Sequence, residues 1–305
     1  MPSERKMAAT LLIPLMAATW SGMRYAVGGE SLTISRVAIP VKQEQTPGCA
    51  TLSEDGRSIA FHMQSKDGHG KLDIWFSRLQ NGHWSDPVNA GPQINTDANE
   101  FDAKFTPDGA TMLFERTNDF NKYTEVMVTH FRNGSWSPAK KIGPPITLPG
   151  TRQFCVLPAR DGKRIYFSSD RSGGLGGLDF YYSNRIGNDW TQWSEPVNLG
   201  PGINTKGDEG DLTVSRDERL IIFNAKREDS IAGSTDFYLS RKVNDQWTAP
   251  VNLGPRINTP GTEYCAWLGY DGQTLYINTN WNDLIAPRED TDSSIWMFRL
   301  SEGFH

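Results

Sequence analysis

Three cysteines and two aspartates share one position of an internal repeat. Each lies six residues before the aspartate of a recurring Asp-Gly turn, which is Asp-Glu in the fourth copy; the five are Cys49, Asp102, Cys155, Asp211 and Cys265. Thiolates and carboxylates bind borderline ions such as zinc, so this set predicts one metal ion. Two alternatives remain open. Cys49 and Cys265 form a disulfide if their Cα atoms lie within roughly 7 Å, or the cysteines are small inert residues of a packed strand.

Three further carboxylates stand two residues before members of this set, namely Glu100, Glu209 and Glu263. Two acids facing an open pocket hydrolyse glycosides when they lie about 5 Å or 6.5–9.5 Å apart. A pair drawn from these glutamates, Asp102 and Asp211 is therefore a catalytic hypothesis. Alternatively the three glutamates pair with arginines or accept backbone N–H groups in the loops between repeats, because buried carboxylates need such partners.

A second polar set follows each Asp-Gly turn by seven residues and contains His62, Glu115 and Asn278, with Arg171 and Lys226 just beyond that position. His62 is a candidate base for a lyase or cyclase, with Arg171 stabilising charge; alternatively it is a hydrogen-bonded structural residue. A position at which one repeat has a different residue type from the others is less constrained by the fold, so it is a better candidate for ligand binding. The predicted ligand-binding residues are Glu115, Arg171, Lys226, Asn278, Trp281 and Trp267.

The elements that must position these residues come from the repeat itself. The turn aspartates fall at residues 55, 108, 161, 217 and 271, a period of about 54 residues. Each period contains four short runs rich in β-branched and aromatic residues, separated by turn dipeptides, which predict four strands. A fixed period of this size indicates stacked repeats, and four-stranded units around an axis form a propeller.

The two ends of the chain complete each other in this pattern. The fifth repeat has three strands before the chain stops at His305, and residues 33–40 resemble the missing fourth one. We therefore predict an all-β fold: a five-bladed β-propeller of four-stranded blades, closed by an N-terminal strand that completes the last blade. A β-sandwich of irregular hairpins is the alternative.

Several residues recur in nearly every repeat, and repetition favours a scaffold role because one site needs one copy. The tryptophans 84, 136, 193 and 247 are predicted to pack between blades. The Asn-Thr pairs of the recurring stretch Pro-Val-Asn-Leu-Gly-Pro-x-Ile-Asn-Thr are predicted to brace the loop entering the next blade. The loop at residues 281–292 is longer than its counterparts, which is typical of a functional loop.

The first residues are predicted to direct export. A basic start is followed by an apolar run from Met7 to Trp20, which is typical of a signal peptide over residues 1–21 and is short for a membrane span. Residues 22–32 are then a flexible lead-in, residues 33–305 are one propeller domain, and no transmembrane segment remains after cleavage. The expected location is the periplasm or the exterior of a bacterium.

The amino-acid composition limits the kinds of partner that the protein can bind. The formal net charge is −5 and the basic residues are dispersed, which argues against nucleic acid as a partner. The sequence has neither the Gly-x-Ser-x-Gly nor the His-Glu-x-x-His motif of hydrolases.

The run from Phe167 to Tyr181, Phe-Ser-Ser-Asp-Arg-Ser-Gly-Gly-Leu-Gly-Gly-Leu-Asp-Phe-Tyr, is followed by Trp, Pro-Val-Asn-Leu-Gly and Ile-Asn-Thr. This pattern resembles the WD40-like repeat of TolB-type propellers over about residues 33–305. The resemblance implies a bacterial envelope or secreted location and binding rather than catalysis, although this chain differs from TolB in blade number. The leading hypothesis is an exported propeller that binds a small molecule, peptide, glycan or protein at one channel mouth. The alternative is an enzyme using axial carboxylates and His62, with one metal ion as its cofactor.

Overall fold

The computed structural model describes residues 23–27, 30–42, 45–231, 235–279 and 295–300. Apart from turns, the described secondary structure consists of β-strands. They form five antiparallel sheets, which are the blades of a propeller. The predicted signal peptide, Trp281 and the long loop at 281–292 lie outside the described residues. Within the described residues, no helix has the length and apolar character that crossing a bilayer requires.

The first two repeats form blades 1 and 2. Blade 1 contains β3 (Gly48–Leu52), β4 (Ser58–Met63), β5 (Asp73–Gln80), β6 (His83–Trp84) and β7 (Val88–Asn89). Blade 2 contains β8 (Asn99–Phe105), β9 (Thr111–Thr117), β10 (Glu125–Arg132), β11 (Ser135–Trp136) and β12 (Lys140–Lys141).

The remaining repeats follow the same order. Blade 3 contains β13 (Gln153–Pro158), β14 (Arg164–Ser169), β15 (Asp179–Asn184) and β16 (Val197–Asn198). Blade 4 contains β17 (Glu209–Val214), β18 (Leu220–Ala225), β19 (Asp236–Val243), β20 (Gln246–Trp247) and β21 (Val251–Asn252). Blade 5 contains β22 (Glu263–Leu268), β23 (Thr274–Thr279) and β24 (Ile295–Leu300), joined by the N-terminal strands β1 (Met23–Val27) and β2 (Glu30–Arg36).

The ring closes as the sequence predicts. Strand β2 pairs antiparallel with β24, with Ile34 opposite Phe298, so the N-terminal segment supplies the missing fourth strand. The inner strands contact one another in the order β3, β8, β13, β17 and β22, and β22 contacts β3. One part of the prediction is wrong: the segment assigned to a flexible lead-in forms β1 and the start of β2, because β1 pairs along the open edge of β2.

The fourth strand is broken in blades 1, 2 and 4. In blade 1, β6 and β7 both pair with β5 but are separated by residues 85–87. Pro87 ends this gap, and proline has no N–H to donate to a ladder. The recurring Pro therefore divides the outer strand into two short segments.

Contacts between blades follow the predicted scaffold roles. The Trp136 ring stacks on Phe76 of blade 1 at 5.9 Å between ring centroids. Asn95, from the loop that enters blade 2, accepts a hydrogen bond from Ile74 N and donates one to Ile74 O, both at 2.9 Å. Asn204 and Asn258 make the same pair of bonds to Phe180 and Phe237. These predictions are confirmed.

Each inner strand carries a β-bulge at the position of the Cys and Asp set. Four of the five residues there adopt a left-handed backbone, with φ of 47° at Cys49, 49° at Asp102, 52° at Cys155 and 57° at Cys265. Such a conformation is costly for residues other than glycine and is concentrated at functional sites. The bulges reorient these residues so that their side chains converge on the propeller axis.

Candidate functional site

The five residues of the Cys and Asp set meet at the axis in two overlapping groups. One group contains Cys49, Cys265 and Asp102, and the other contains Asp102, Cys155 and Asp211; within each group the potential ligand atoms lie within 4.8 Å of one another. Asp102 belongs to both groups. We call these five residues the axial ring, and the channel end next to the bulges the bulge-side mouth.

Cys49 and Cys265 form a disulfide between blades 1 and 5, with their Cα atoms 4.8 Å apart. The disulfide alternative for these two cysteines is therefore confirmed, and both are removed from the predicted set of thiolate ligands. Cys155 is the free cysteine and is buried. Its Sγ donates to Leu212 O and accepts from Leu212 N, each at 3.2 Å, and burial raises the pKa of the thiol.

Asp102 forms an ion pair with Lys104, and both side chains are buried, at 3% and 1% exposure. Burial lowers the pKa of the Lys104 ammonium, but the Asp102 carboxylate, with nearby Cys155 and Glu115, outweighs this effect and raises the pKa overall. The ion pair engages Asp102 Oδ1, whereas Oδ2 has no hydrogen-bond partner among the described residues. A buried carboxylate oxygen without a partner is costly, so it marks a position where a ligand is favoured.

Asp211 is partly exposed, unlike Asp102. Its Oδ2 accepts from Cys265 N at 2.8 Å and from Asn224 Nδ2 at 3.4 Å, which links blade 4 to blade 5. Burial and the nearby Asp102 charge raise the pKa of Asp211 to about 6. The carboxyl therefore changes charge close to neutral pH.

Glu115 is fully buried and faces the same cluster. Its Oε1 accepts from Val156 N of blade 3 at 2.7 Å, whereas Oε2 has no partner among the described residues. Burial and the Asp102 charge raise the pKa of Glu115 well above its ordinary value. The predicted ligand-binding role of Glu115 becomes that of a buried acid beneath the mouth.

We expect Glu115→Gln to stabilise the protein at pH 7–8 and much less at pH 4. Because the folded-state pKa is raised, the protonated form is favoured in the folded protein, and stability falls as pH rises from about 4.5 through the folded pKa. Glutamine keeps the acceptor for Val156 and cannot ionise, and each unit of pKa shift corresponds to about 1.4 kcal/mol. Urea unfolding at both pH values measures the difference. A variant whose stability parallels wild type across this range contradicts the assignment.

His62 lies partly exposed at the bulge-side mouth. Its Nδ1 accepts a long hydrogen bond, 3.5 Å, from Asp102 N of the next blade, and burial lowers the pKa of the imidazole to about 4. The ring is therefore neutral at pH 7 and can accept a proton only weakly. Gly48 makes room for it, because a Cβ at that position would lie 2.6 Å from His62 Nε2.

The glutamates Glu100, Glu209 and Glu263 serve the loops between blades. Glu209 accepts from Thr205 N at 3.1 Å and from Thr205 Oγ1 at 2.6 Å. Glu100 and Glu263 bind Thr96 and Thr259 in the same way, and Glu100 also pairs with Arg116 at 2.7 Å. These contacts match the scaffold alternative for the three glutamates.

Arg171 also has a repeated scaffold contact. Its guanidinium donates to Pro145 O at 3.0 Å and Ile146 O at 2.8 Å. Arg116 and Arg227 donate to the equivalent isoleucine carbonyls, of residues 94 and 203. Because three blades share this contact, the arginine holds the loop that enters its own blade.

The other predicted ligand-binding residues are dispersed. Asn278 is buried, accepts from Cys49 N at 3.0 Å and donates to Pro47 O at 3.3 Å, which joins blade 5 to blade 1. Lys226 is exposed. Trp267 lies toward the Asp-Gly turns, at the opposite channel end, where it contacts Tyr270 and lines a cavity of about 650 Å³. It therefore does not share the bulge-side mouth with His62, because it follows the bulge along β22.

The structure shows a group of aromatic rings that the sequence analysis missed. Phe101 contacts Phe154 at 6.2 Å and Phe120 at 5.0 Å between ring centroids, and His62 meets Phe101 edge-on at 6.4 Å. Phe120 is 38% exposed. We call Phe101, Phe120 and Phe154 the aromatic rim. A sequence signal for these aromatic residues lay one residue before each member of the axial ring, where the five blades carry Gly48, Phe101, Phe154, Gly210 and Tyr264.

Comparison with known proteins supports the fold. No protein-family model and no curated protein matches the chain. Similar solved structures include the catalytic domain of the GH62 α-L-arabinofuranosidase of Coprinopsis cinerea, with 12% identity, a TM-score of 0.54, and 88% of this chain and 96% of that chain covered. The putative TolB of Agrobacterium tumefaciens has 14% identity and a TM-score of 0.49, with 84% of this chain and 80% of that chain covered.

TolB of Acinetobacter baumannii has 18% identity and a TM-score of 0.48 over 85% of this chain, which spans about half of that protein's length, 54%. The five sheets of the structure agree with the propeller fold that the resemblance to TolB-type repeats predicts. At these identities the likeness indicates the propeller fold and says nothing of activity.

Proposed function

We propose that this chain is an exported propeller that binds a polar ligand with an apolar face, such as a glycan or peptide, at the bulge-side mouth. The observation that supports this most directly is the combination of the aromatic rim with two partly exposed polar axial residues, His62 and Asp211. Binding sites of this kind join aromatic surface to a few convergent polar groups. The contacts assigned to the ligand are Phe120, Phe154, His62 and Asp211, with buried Phe101 packed beneath the two rings.

The aromatic rim spans neighbouring blades, which favours a ligand lying across the mouth. Phe101 and Phe120 belong to blade 2 and Phe154 to blade 3, so their rings form one apolar surface beside the axis. Aromatic rings provide a large contact area with little loss of side-chain entropy. Asp211 offers a hydrogen-bond acceptor next to that surface, and neutral His62 offers the N–H of Nε2, because its Nδ1 accepts from Asp102.

Export is supported by two independent features. The predicted signal peptide is one, and the Cys49–Cys265 disulfide is the other, since structural disulfides persist in oxidising compartments. We assign the protein to the periplasm or the cell exterior on this basis.

The binding site is tested with a panel of oligosaccharides and dipeptides screened by thermal shift against the wild-type protein. For a panel member that raises the melting temperature of the wild type, we expect Phe154→Ala or Asp211→Asn to weaken its binding at least about tenfold, roughly 1.4 kcal/mol. Glu195→Gln is the matched control, because Glu195 is exposed on the outer part of blade 3. Equal binding by wild type and both mouth variants, with native circular dichroism, would place the site elsewhere.

One observation favours an enzyme as the second candidate. The carboxylates of Asp102 and Asp211 approach within 4.8 Å, and the pKa of Asp211 is raised to about 6, as in pairs of catalytic acids. Against this, Asp102 is 3% exposed and bound by Lys104, so a substrate would reach only Asp211. Release of nitrophenol from aryl arabinofuranosides, abolished by Asp211→Asn, would favour the enzyme; we expect no turnover.

A further inference from the structure

The second group of the axial ring retains a complete set of three potential ligands. The disulfide occupies Cys49 and Cys265, whereas Asp102, Cys155 and Asp211 keep one thiol and two carboxyl groups within 4.8 Å of one another. They come from blades 2, 3 and 4, so closure of the ring brings them together. Three protein ligands with a fourth position open are typical of accessible zinc sites.

A second observation points to a ligand at this place. Asp102 is 97% buried, yet its Oδ2 has no hydrogen-bond partner among the described residues. The Lys104 ammonium binds the other oxygen, Oδ1, so Oδ2 is the oxygen that remains for coordination. Buried carboxylates are normally paired or coordinate a metal ion.

With the lysine, both aspartates and the cysteine ionised, a divalent ion balances the formal charges of the cluster. Lys104 contributes one positive charge against the two carboxylates of Asp102 and Asp211, which leaves a net charge of −1 in a buried cluster. A divalent ion that binds Cys155 as a thiolate adds two positive charges and one negative charge. The sum is then zero, which removes the cost of an uncompensated buried charge.

We propose that the propeller axis binds one zinc-class divalent ion through Cys155 Sγ, Asp102 Oδ2 and a carboxylate oxygen of Asp211, with its open position toward the bulge-side mouth. A thiolate among the ligands selects against calcium and magnesium, which take oxygen ligands. Partly exposed Asp211 gives the ion access from the mouth, because Asp102 and Cys155 are buried. The disulfide keeps the other two cysteines from capturing the ion.

The test is zinc binding by the full chain with its disulfide intact. The protein is stripped with a chelator, handled without thiol reductant, and titrated with zinc in competition with a chromophoric chelator. We expect about one zinc per chain, and a loss of at least about 100-fold in affinity with Cys155→Ser or Asp211→Asn, since even outer-shell changes cost 10–100-fold. Cobalt in place of zinc is expected to give a thiolate-to-metal charge-transfer band that Cys155→Ser abolishes.

Phe154→Ala is the matched control, because Phe154 precedes Cys155 on β13 and lies in the aromatic rim. We expect it to leave zinc affinity within about twofold while weakening the ligand of the mouth, so the metal proposal and the proposed function fail separately. Absence of stoichiometric zinc in the wild type, or wild-type affinity in Cys155→Ser, would overturn the proposal. If Cys155→Ser does not fold, the cobalt spectrum of the wild type and the affinity of Asp211→Asn still test it.

Discussion

Replacing Cys49 and Cys265 together by alanine is expected to lower the free energy of unfolding by about 3–5 kcal/mol. The disulfide joins residues 216 positions apart, so it removes a large part of the conformational entropy of the unfolded chain. It also joins the innermost strands of blades 1 and 5, whereas the β2–β24 pair completes blade 5 at its outer strands. Urea unfolding of the oxidised wild type and the double variant measures the effect.

The control for this prediction is reduction of the wild type. A dithiol reductant should bring the wild type to about the stability of the Cys49→Ala/Cys265→Ala variant and should leave the variant unchanged. Cys155→Ala, which removes the free thiol from the same ring position, should cost about 1 kcal/mol. Equal stability of the oxidised wild type and the double variant would show that the covalent link adds nothing to ring closure.

Replacing Lys104 by methionine is expected to destabilise the metal-free protein by about 3–5 kcal/mol. The side chains have similar length, so the change removes the charge and leaves the packing volume largely in place. Asp102, at 3% exposure, would then be a buried carboxylate without its counterion. Restoring neutrality with Asp102→Asn/Lys104→Met should recover most of the loss, because the uncompensated charge is the source of the cost.

This prediction is checked by a double-mutant cycle from urea unfolding in metal-free buffer. We expect a coupling energy between Asp102 and Lys104 of at least about 2 kcal/mol, well above the value of exposed ion pairs. The exposed pair Lys42–Asp67, with side chains 66% and 71% exposed, is the matched control and should couple by less than about 1 kcal/mol. Equal coupling in the two pairs would mean that burial does not strengthen the axial ion pair.

Both predictions concern the same small volume, in which charge balance and covalent closure coincide. Asp102 contacts Lys104, lies within reach of the disulfide sulfurs and of Cys155, and faces Asp211. A change in any of these groups therefore alters the charge that the others experience. Burial and the nearby Asp102 charge together raise the pKa of Asp211, and the same closeness of charges suits the cluster to a single divalent ion.

The repeat in the sequence was sufficient to predict the blades, their number and their closure. In a closed ring of equivalent units, residues at one position of the innermost strand meet near the axis, so the convergence of Cys49, Asp102, Cys155, Asp211 and Cys265 followed from their spacing and from the assignment of that strand. The scaffold roles of the Asn-Thr pairs and tryptophans followed for the same reason, because features shared by every blade serve the fold.

The bonding and protonation of each axial residue depended on tertiary contacts, which the repeat period of the sequence does not reveal. Cys49 and Cys265 are bonded because ring closure brings their Cα atoms within 4.8 Å. Lys104 reaches Asp102 because the β-bulge in β8 changes which side chains face the axis, and the spacing of residues does not reveal a bulge. Arg171 was predicted to contact a ligand, but the carbonyls of Pro145 and Ile146 accept hydrogen bonds from its guanidinium. The disulfide and the Arg171–Ile146 contact join residues 216 and 25 positions apart, so the tertiary structure sets them and the sequence pattern does not.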